Sequence, residues 1–530
     1  MAGRSSRDEQ RDAGATGSLA RATGVVAIFT VISKILGFAR DVVIAGRFGA
    51  TGLTDAFTAV FFGLSAAVSM ALGVALSTGF LPIFSEFRTA GREDRAWGIA
   101  RLTVAISSLG TLLLSLIVTL WARPILGAMF ELQPQALDSA VMIARIILPV
   151  TFLSSAYSIY QVALNSYGQF GIPAMATSLM NVLIILGALL LGPRLGIAGL
   201  AWGTAAGMAA QVLILFGPMH RIRRRRGLWS PPNDDAVRGG VRRVVALSFP
   251  SLLSQLVGQG YQLIDKGLAS RLSPGIVSAL GYAGRVMQVP VGVFASSVAT
   301  AVFPTLAAQT SRGDDRGFAR SLNTSLRTAA LLLMPFTVGL VVFREPLTRV
   351  LFQRGAFTAE ATAATASALM FYSLSIVGQS FSLILNPAFS ARKKTLLAFK
   401  VSALGSGTNI LFDYLLVGPL GHNGLALSSA IAATVQASVL YLLMRREVPE
   451  LKGLGLGRSL TKMLAASLLM AWPALRTFAW LGAVWPKVGT APEFIRLAAA
   501  AGAGAIIYFA LVALFGVDAL ATLRPGVRRR

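Results

Sequence analysis

The sequence contains no cysteine and only two histidines among its 530 residues. The lack of cysteine excludes disulfides, thiol nucleophiles and cysteine-ligated zinc or iron–sulfur sites. The two histidines, His220 and His422, lie at predicted loop edges without a partner pattern, which favours solvated side chains over catalytic ones. Charged residues are also scarce, at 13% of the chain. A charge content this low is not typical of a soluble globular domain.

Apolar residues dominate instead, with 55% of the chain hydrophobic and a mean hydropathy of +0.67. Apolar runs of about 20 residues, each long enough for a helix that crosses a bilayer, recur along the sequence. We count about fourteen, the first centred near Ile35 and the seventh near Leu256. The sequence therefore predicts an all-α integral membrane protein with about fourteen transmembrane helices. Residues 1–21 are polar and predict a disordered cytoplasmic tail.

The formal charge of +26 would suit a nucleic-acid partner, but the basic residues are spread between the apolar runs instead of forming one basic domain. If the amino terminus is cytoplasmic, inside segments hold roughly three times as many lysines and arginines as outside segments. This asymmetry predicts that both termini are cytoplasmic. The densest basic segment, residues 221–243, falls in the longest internal loop, where attraction to anionic lipid is the simpler explanation. We expect membrane lipids as partners and no nucleic acid.

The basic segment also separates two halves that look alike. Pro82 lies nine residues before Gly91, and the same pair recurs 222 residues later. A Ser-x-x-x-Gly pattern that begins at Ser33 recurs 221 residues later. Two matches at nearly one offset predict a duplication, and repeats of six spans are a common plan in transporters.

We predict two pseudo-symmetric six-helix lobes followed by two further helices. The predicted domains are a cytoplasmic tail (1–21), an amino-terminal lobe (22–220), a basic cytoplasmic linker (221–243), a carboxy-terminal lobe (244–446), two further helices (447–520) and a basic cytoplasmic tail (521–530).

The first apolar run carries three charged residues, Lys34, Arg40 and Asp41. Projected on a helix, their side chains fall within about 120° of arc. Charges at membrane depth cost several kcal/mol unless they face water or a partner, so they indicate a functional site, although Arg40 and Asp41 could simply pair near the membrane boundary. Arg285 lies in the middle of a span of the other half. Two arginines that face each other across a central cleft, together with Lys34, would form a receptor for a diphosphate group.

The chain resembles the MurJ (MviN) family of lipid II flippases, which belongs to the multidrug/oligosaccharidyl-lipid/polysaccharide (MOP) exporter superfamily. Four stretches carry the resemblance: "SKILGFARDVVIAGRFGA", "TDAF", "YAGRVMQVP" and "LFQRGAFT". The resemblance implies fourteen helices, two six-helix lobes and a cationic central cavity. It also implies that the last two helices form a hydrophobic groove for the lipid tail.

Carried over by position, the resemblance implies a head-group site that consists of Lys34 (where arginine is usual), Arg40 and Arg285 as cations, with Asp41 and Asp55 as their acidic companions. The sequence departs from the family in the second span, where Val68 stands in place of the usual arginine. This departure weakens the case for lipid II in particular.

Asn409 and Asp413 form a second candidate site. They are four residues apart and share one helical face, and hard oxygen ligands suit Na⁺ or a titrating carboxylate. In sodium-binding members of the family, the resemblance implies ligands at the positions that correspond to Asp265, Asn409, Asp413 and Ser429. A hydrogen-bonded helix interface is the alternative, and Asp265 could form a neutral pair with Lys266. We expect no cofactor, with Na⁺ as a candidate coupling ion.

Other functions fit the sequence less well. A membrane glycosyltransferase needs carboxylates close to the membrane face, and the only adjacent aspartate pairs, Asp234-Asp235 and Asp314-Asp315, lie among arginines in short polar loops. A multidrug or cation antiporter of the same superfamily would share the fold but usually prefers acids to arginines in its cavity. We therefore predict a flippase of the bacterial cytoplasmic membrane and not an enzyme. Its predicted substrate is lipid II or another undecaprenyl-linked polysaccharide unit, moved from the cytoplasmic to the outer leaflet by alternating access.

Overall fold

The computed structural model describes residues 32–227, 235–486 and 489–517. Every regular element within these ranges is helical. The chain divides into two compact units, unit 1 from Met1 to Lys266 and unit 2 from Gly267 to Arg530. Both predicted tails and residues 228–234 of the predicted linker lie outside the described residues. The predicted lobe bounds stay a prediction.

Unit 1 is built from eight described helices, the last of which continues into unit 2. They are α1 (32–48), α2 (Gly52–Thr89), α3 (Glu93–Leu120), α4 (Ala122–Met129), α5 (Pro134–Ser166), α6 (Gly171–Leu195), α7 (Ile197–Arg225) and α8 (Asp235–Ser270). Two segments of α2, Ala59–Ser65 and Met70–Val74, are π-helical. Such turns are rare and occur frequently at functional sites.

Unit 2 contains nine further described helices. They are α9 (Ile276–Ser311), α10 (Asp315–Val342), α11 (Arg344–Phe352), α12 (Ala359–Ser373), α13 (Ile376–Ala391), α14 (Thr395–Leu420), α15 (His422–Glu447), α16 (Leu456–Val484) and α17 (Thr490–Leu514). The last two helices pack on α10, where the hydroxyl of Tyr508 donates a hydrogen bond of 2.9 Å to the carbonyl oxygen of Leu331.

The prediction of an all-helical membrane protein is confirmed. Within the described ranges, 11 helices are long and apolar enough to cross a membrane, or up to 12 if α12 and α13, bent by 47° at their junction, count as one span. The predicted count of fourteen is not confirmed. The span near Ile35 is described only from residue 32. The span near Leu256 belongs to α8, which is long enough but interrupted by many serine, glutamine and glycine residues.

The same order of elements occurs in both units. Helices α3 and α10 each have 28 residues and begin 222 residues apart. Each follows a tight turn at a glycine with positive φ, 73° at Gly91 and 68° at Gly313, a conformation that glycine adopts without steric cost. Each is followed directly by a short helix, α4 or α11. The offset predicted from the prolines and glycines thus corresponds to a repeated helical architecture.

Helices α6 and α7 of unit 1 lie in direct backbone contact. A Cβ atom added to Gly187 would lie 2.6 Å from the Cα of Gly203, and one added to Gly203 would lie 2.7 Å from the Cα of Gly187. Small residues allow such close approach between membrane helices, where van der Waals packing replaces the hydrophobic driving force. The contact fixes α6 against α7 and so fixes the position of the polar residue Asn181 on α6.

Candidate functional site

Arg40 lies at the centre of the first candidate site, inside unit 1. It is 7% exposed and the adjacent Asp41 is 3% exposed. The Nε and NH2 groups of Arg40 donate to Oδ1 of Asp41 at 3.0 and 2.9 Å. Its NH1 group donates to Oδ1 of Asn181 at 3.0 Å. A charge can be buried only when partners such as this carboxylate and amide satisfy it, and removal of one partner is strongly destabilising.

The side chain of Arg40 is also fixed by an aromatic ring. Its guanidinium carbon lies 5.2 Å from the ring centroid of Phe62, which lies in a π-helical turn of α2. The ring quadrupole attracts the cation. The three hydrogen bonds use three of the five N–H groups of a guanidinium. The arrangement therefore holds the guanidinium in one orientation without using all of its donors.

Asn181 was not predicted from the sequence. Its Oδ1 atom accepts from Arg40, and its Nδ2 group donates to the carbonyl oxygen of Ser33 at 3.5 Å. One amide thus connects α6 with two points on α1. The sequence contains a signal that could have identified this residue. Asn181 is a single amide in an apolar run, and polar residues inside membrane helices often carry function.

The other predicted head-group residues of unit 1 differ in their surroundings. Lys34 is exposed, and Asp55 is 3% exposed in the first turn of α2. An acidic residue there is favourable because the helix dipole is positive at the amino terminus. Val68 is 5% exposed and belongs to an apolar cluster of unit 1. An arginine at this position would bring a charge into that cluster.

Arg285, the predicted head-group cation of unit 2, is partly exposed on α9. The two family motifs of unit 2 pack together one turn away from it. The ring of Tyr282 lies 5.2 Å from the ring of Phe352 and 5.8 Å from that of Phe357. Arg354 donates to the carbonyl oxygens of the preceding helix α11. The stretch "LFQRGAFT" therefore has a structural role, because it packs against α9, the helix that carries Arg285.

The second candidate site connects α14 with α15 in unit 2. Asp413 is fully buried, and Asn409 is 3% exposed. Ser428 donates a hydrogen bond to Oδ1 of Asp413. With the amide of Asn409 oriented to donate to Oδ2 of Asp413 at 3.1 Å, its oxygen accepts from the backbone N–H and the hydroxyl of Ser429 at 3.1 and 3.2 Å.

Three of the four residues predicted as sodium ligands thus lie together, and Ser428 is an additional member that the sequence analysis missed. The cluster offers carboxylate, amide and hydroxyl oxygens, which are suitable ligands for a hard cation. Asp265, the fourth predicted ligand, belongs to α8 of unit 1. Its Oδ1 atom is buried and has no hydrogen-bond partner among the residues that the structure describes.

One of the two acidic pairs considered for an enzyme, Asp314-Asp315, has structural partners. Asp314 caps α10 by accepting from the backbone N–H of Gly317 at 2.8 Å. Asp315 accepts from Arg392 at 2.7 Å. Asp235 begins α8, and Asp234 lies outside the described residues.

Comparison with known families places these sites in context. The sequence profile of the lipid II flippase MurJ family matches residues 44–490. A lipid II flippase MurJ from Burkholderia cenocepacia is 29% identical over 474 residues, which cover 88% of this chain and 92% of that relative. A probable lipid II flippase MurJ from Rhizobium meliloti is 26% identical over 532 residues, which cover 97% of each chain.

Solved structures show the same fold. A lipid II flippase MurJ in an inward closed conformation matches with a TM-score of 0.76 and 24% identity, over 93% of this chain and 99% of that one. An inward-facing multidrug resistance MATE family transporter of the MOP superfamily matches with a TM-score of 0.64 and 17% identity, over 81% and 99%. The resemblance predicted from four short stretches is confirmed by a profile match over most of the sequence. The chain belongs to the lipid II flippase MurJ family.

Proposed function

We propose that this protein flips lipid II, a saccharide linked to a polyprenyl diphosphate, from the cytoplasmic to the outer leaflet of the bacterial cytoplasmic membrane. The family match supports the substrate class. Its matched range, residues 44–490, does not include Arg40 and Asp41. The observation that carries the proposal for the head group is therefore the geometry of Arg40, a buried guanidinium held by Asp41 and Asn181.

In this proposal, Arg40 and Arg285 each contact the diphosphate during transport. A guanidinium is planar, permanently charged and able to donate two parallel hydrogen bonds to a phosphate. Asp41 and Asn181 hold the Arg40 guanidinium in one orientation before the substrate arrives, which reduces the entropy lost on binding. Lys34, which is exposed, adds a point charge. No covalent bond is made or broken, so the protein acts as a transporter and not as an enzyme.

Growth complementation tests the substrate. Expression of this protein in cells depleted of their own lipid II flippase is expected to restore growth when the protein is abundant. Lys34, Arg40 and Arg285 supply about three positive charges against roughly two on a diphosphate diester. Because the apolar Val68 replaces the cation usual in the second span, we expect weaker binding and poorer growth at low expression. The measurement is growth rate against the amount of protein in the membrane.

A specific outcome would contradict the lipid II assignment. If the protein fails to support growth at high expression but restores surface export of another undecaprenyl-linked glycan, the substrate is that polysaccharide unit. If it supports neither process but lowers the accumulation of cationic drugs, it is an antiporter of the same superfamily.

The proposed orientation places both termini and the basic loop in the cytoplasm. Since the sequence has no native cysteine, single cysteines give a clean test by labelling with a membrane-impermeant thiol reagent. Thr490→Cys is expected to be labelled in intact cells, and Arg224→Cys only after lysis, because lysines and arginines concentrate on the cytoplasmic side. Both positions are exposed. Labelling of Arg224→Cys alone in intact cells would invert the assignment.

A further inference from the structure

A cavity of about 310 Å³ lies in unit 1 between helices α3, α5 and α7. Its lining is apolar except for the hydroxyl groups of Ser108 and Tyr160. Two lining residues of α7, Leu213 and Phe216, are 63% and 48% exposed, so the cavity opens at the surface of the helices. Exposed apolar side chains of this kind favour contact with lipid, and an apolar void without contacts loses dispersion energy. The cavity therefore favours occupancy by a hydrocarbon chain.

The length of the cavity fits part of an acyl chain. On α5 the lining extends from Phe152 to Tyr160, which corresponds to about 12 Å along the helix axis at 1.5 Å per residue. The ring of Tyr160 lies 6.2 Å from that of Phe216. The phenol oxygen of a tyrosine is the polar end of an otherwise apolar side chain. Tyr160 thus indicates the end of the cavity where apolar lining gives way to polar groups.

Arginines lie at this polar end. Arg101 and Arg223 are close enough to the phenol of Tyr160 to act on it electrostatically. Arg101 is on α3, one turn before the lining residue Val104, and Arg223 is on α7, two turns beyond Phe216. Arg101 is exposed and Arg223 is partly exposed. The arginines therefore lie beyond the same end of the cavity on two of its three helices.

Among the described residues of α3, α5 and α7, the acidic side chains near this end are fewer than the basic ones. Glu93, at the start of α3, forms an ion pair with Arg226. Asp94 is the other acidic residue in the first turn of α3, whereas α7 ends in a run of arginines over 221–226. A net cationic rim beside an apolar cavity is complementary to a lipid that carries an anionic head group on an acyl chain.

We propose that unit 1 binds an anionic phospholipid at this place, with one acyl chain in the cavity and the phosphate at Arg101 and Arg223. The lipid belongs to the leaflet in contact with the end of unit 1 that carries the basic loop. This site is separate from Arg40 and Asn181, and the proposal does not depend on which saccharide lipid the protein transports. In this proposal, the arginines at the end of α7 bind one specific lipid instead of attracting anionic lipid in general.

Thermal unfolding of the purified full chain in detergent tests the proposal, with added phosphatidylglycerol or phosphatidylcholine of the same acyl chains. Phosphatidylglycerol is expected to raise the unfolding midpoint of the parent protein, and phosphatidylcholine is not. A double variant, Arg101→Gln with Arg223→Gln, is expected to bind phosphatidylglycerol about thirtyfold more weakly, because each arginine near an anionic lipid contributes roughly five- to sixfold. Arg238→Gln with Arg242→Gln, two exposed arginines at the start of α8, removes the same charge and is the matched control.

A second variant tests the chain site separately from the head-group site. Ala209→Phe places a ring in the cavity and keeps both arginines, so it is expected to weaken phosphatidylglycerol binding as well. Glycerol phosphate, which has the head group without acyl chains, is expected to give no stabilisation. The proposal is overturned if the control variant loses as much binding as the double variant, or if Ala209→Phe binds normally. It is also overturned if an uncharged polyprenol stabilises the parent as well as phosphatidylglycerol does, since the occupant is then a polyprenyl chain.

Discussion

Replacement of Arg40 with alanine is expected to abolish the growth of cells that depend on this protein for lipid II transport. A hydrogen bond to a charged group contributes about 1.5–3 kcal/mol, so loss of the guanidinium is expected to slow transport by roughly 10- to 150-fold. Arg285→Ala is expected to have an effect of similar size. Lys34→Ala is expected to be milder, because Lys34 is exposed and acts as a point charge.

Folding has to be separated from transport in this experiment. Arg40→Ala leaves the buried Asp41 carboxylate without its main partner, and breaking a buried pair is destabilising. Arg40→Lys keeps a positive charge beside Asp41 but cannot donate two parallel hydrogen bonds. It is expected to accumulate in the membrane and still transport poorly. Arg47→Ala, an exposed arginine near the end of the same helix, is the matched control and is expected to support growth.

Asn181 gives a graded test of the same geometry. Asn181→Ala removes one of the three hydrogen bonds of Arg40 and the contact with the Ser33 carbonyl. We expect partial loss of transport, between that of the control and that of Arg40→Lys. Normal growth of a double variant, Arg40→Ala with Arg285→Ala, at ordinary expression would show that neither cation holds the head group.

Replacement of Asp413 with asparagine is expected to remove stabilisation of the purified protein by Na⁺. A ligand that binds only the folded state stabilises it in proportion to the logarithm of its concentration relative to its Kd, about 2.7 kcal/mol at a hundredfold excess. For the parent protein we expect a midpoint a few degrees higher in NaCl than in KCl. Asp413→Asn keeps the shape of the side chain but removes the anionic ligand, so this difference is expected to disappear.

Two further variants define the sodium test. Ser428→Ala removes the hydroxyl that donates to Asp413 and is expected to change the response to Na⁺ without abolishing it. Asp138→Asn changes an exposed carboxylate that pairs with Arg123 at the surface, and its response to Na⁺ is expected to match the parent. Absence of any difference between NaCl and KCl in the parent would exclude this cluster as a sodium site and leave protons or the membrane potential as the driving force.

The sequence predicted Arg40 and Asp41 because charge inside an apolar run is costly and therefore stands out. It did not predict Asn181, since one amide in a hydrophobic helix has no spacing that would connect it with a residue 141 positions away. Asn409 and Asp413 were predicted from their spacing of four on one helix. Ser428 was missed because adjacent serines cannot be distinguished until the rotation of α15 against α14 is known.

The helical architecture could be predicted from hydropathy, and its repeat from two prolines and two glycines. The short helix α4 and the π-helical turns of α2 could not. A π-turn depends on the packing of a helix against its neighbours and has no reliable composition of its own. The burial of Val68 could not be predicted either, because the sequence does not distinguish a valine that faces a cavity from one that packs in an apolar cluster.

The backbone contact between Gly187 and Gly203 limits how unit 1 can move. Helices that meet at side chains can slide by small rotamer adjustments, as in shear motions. Here the Cα atoms themselves interlock, and a shift of one residue, about 1.5 Å, would push the side chains beside each glycine into the opposite backbone. We therefore expect α6 and α7 to move together during a transport cycle, with the bending located away from this contact.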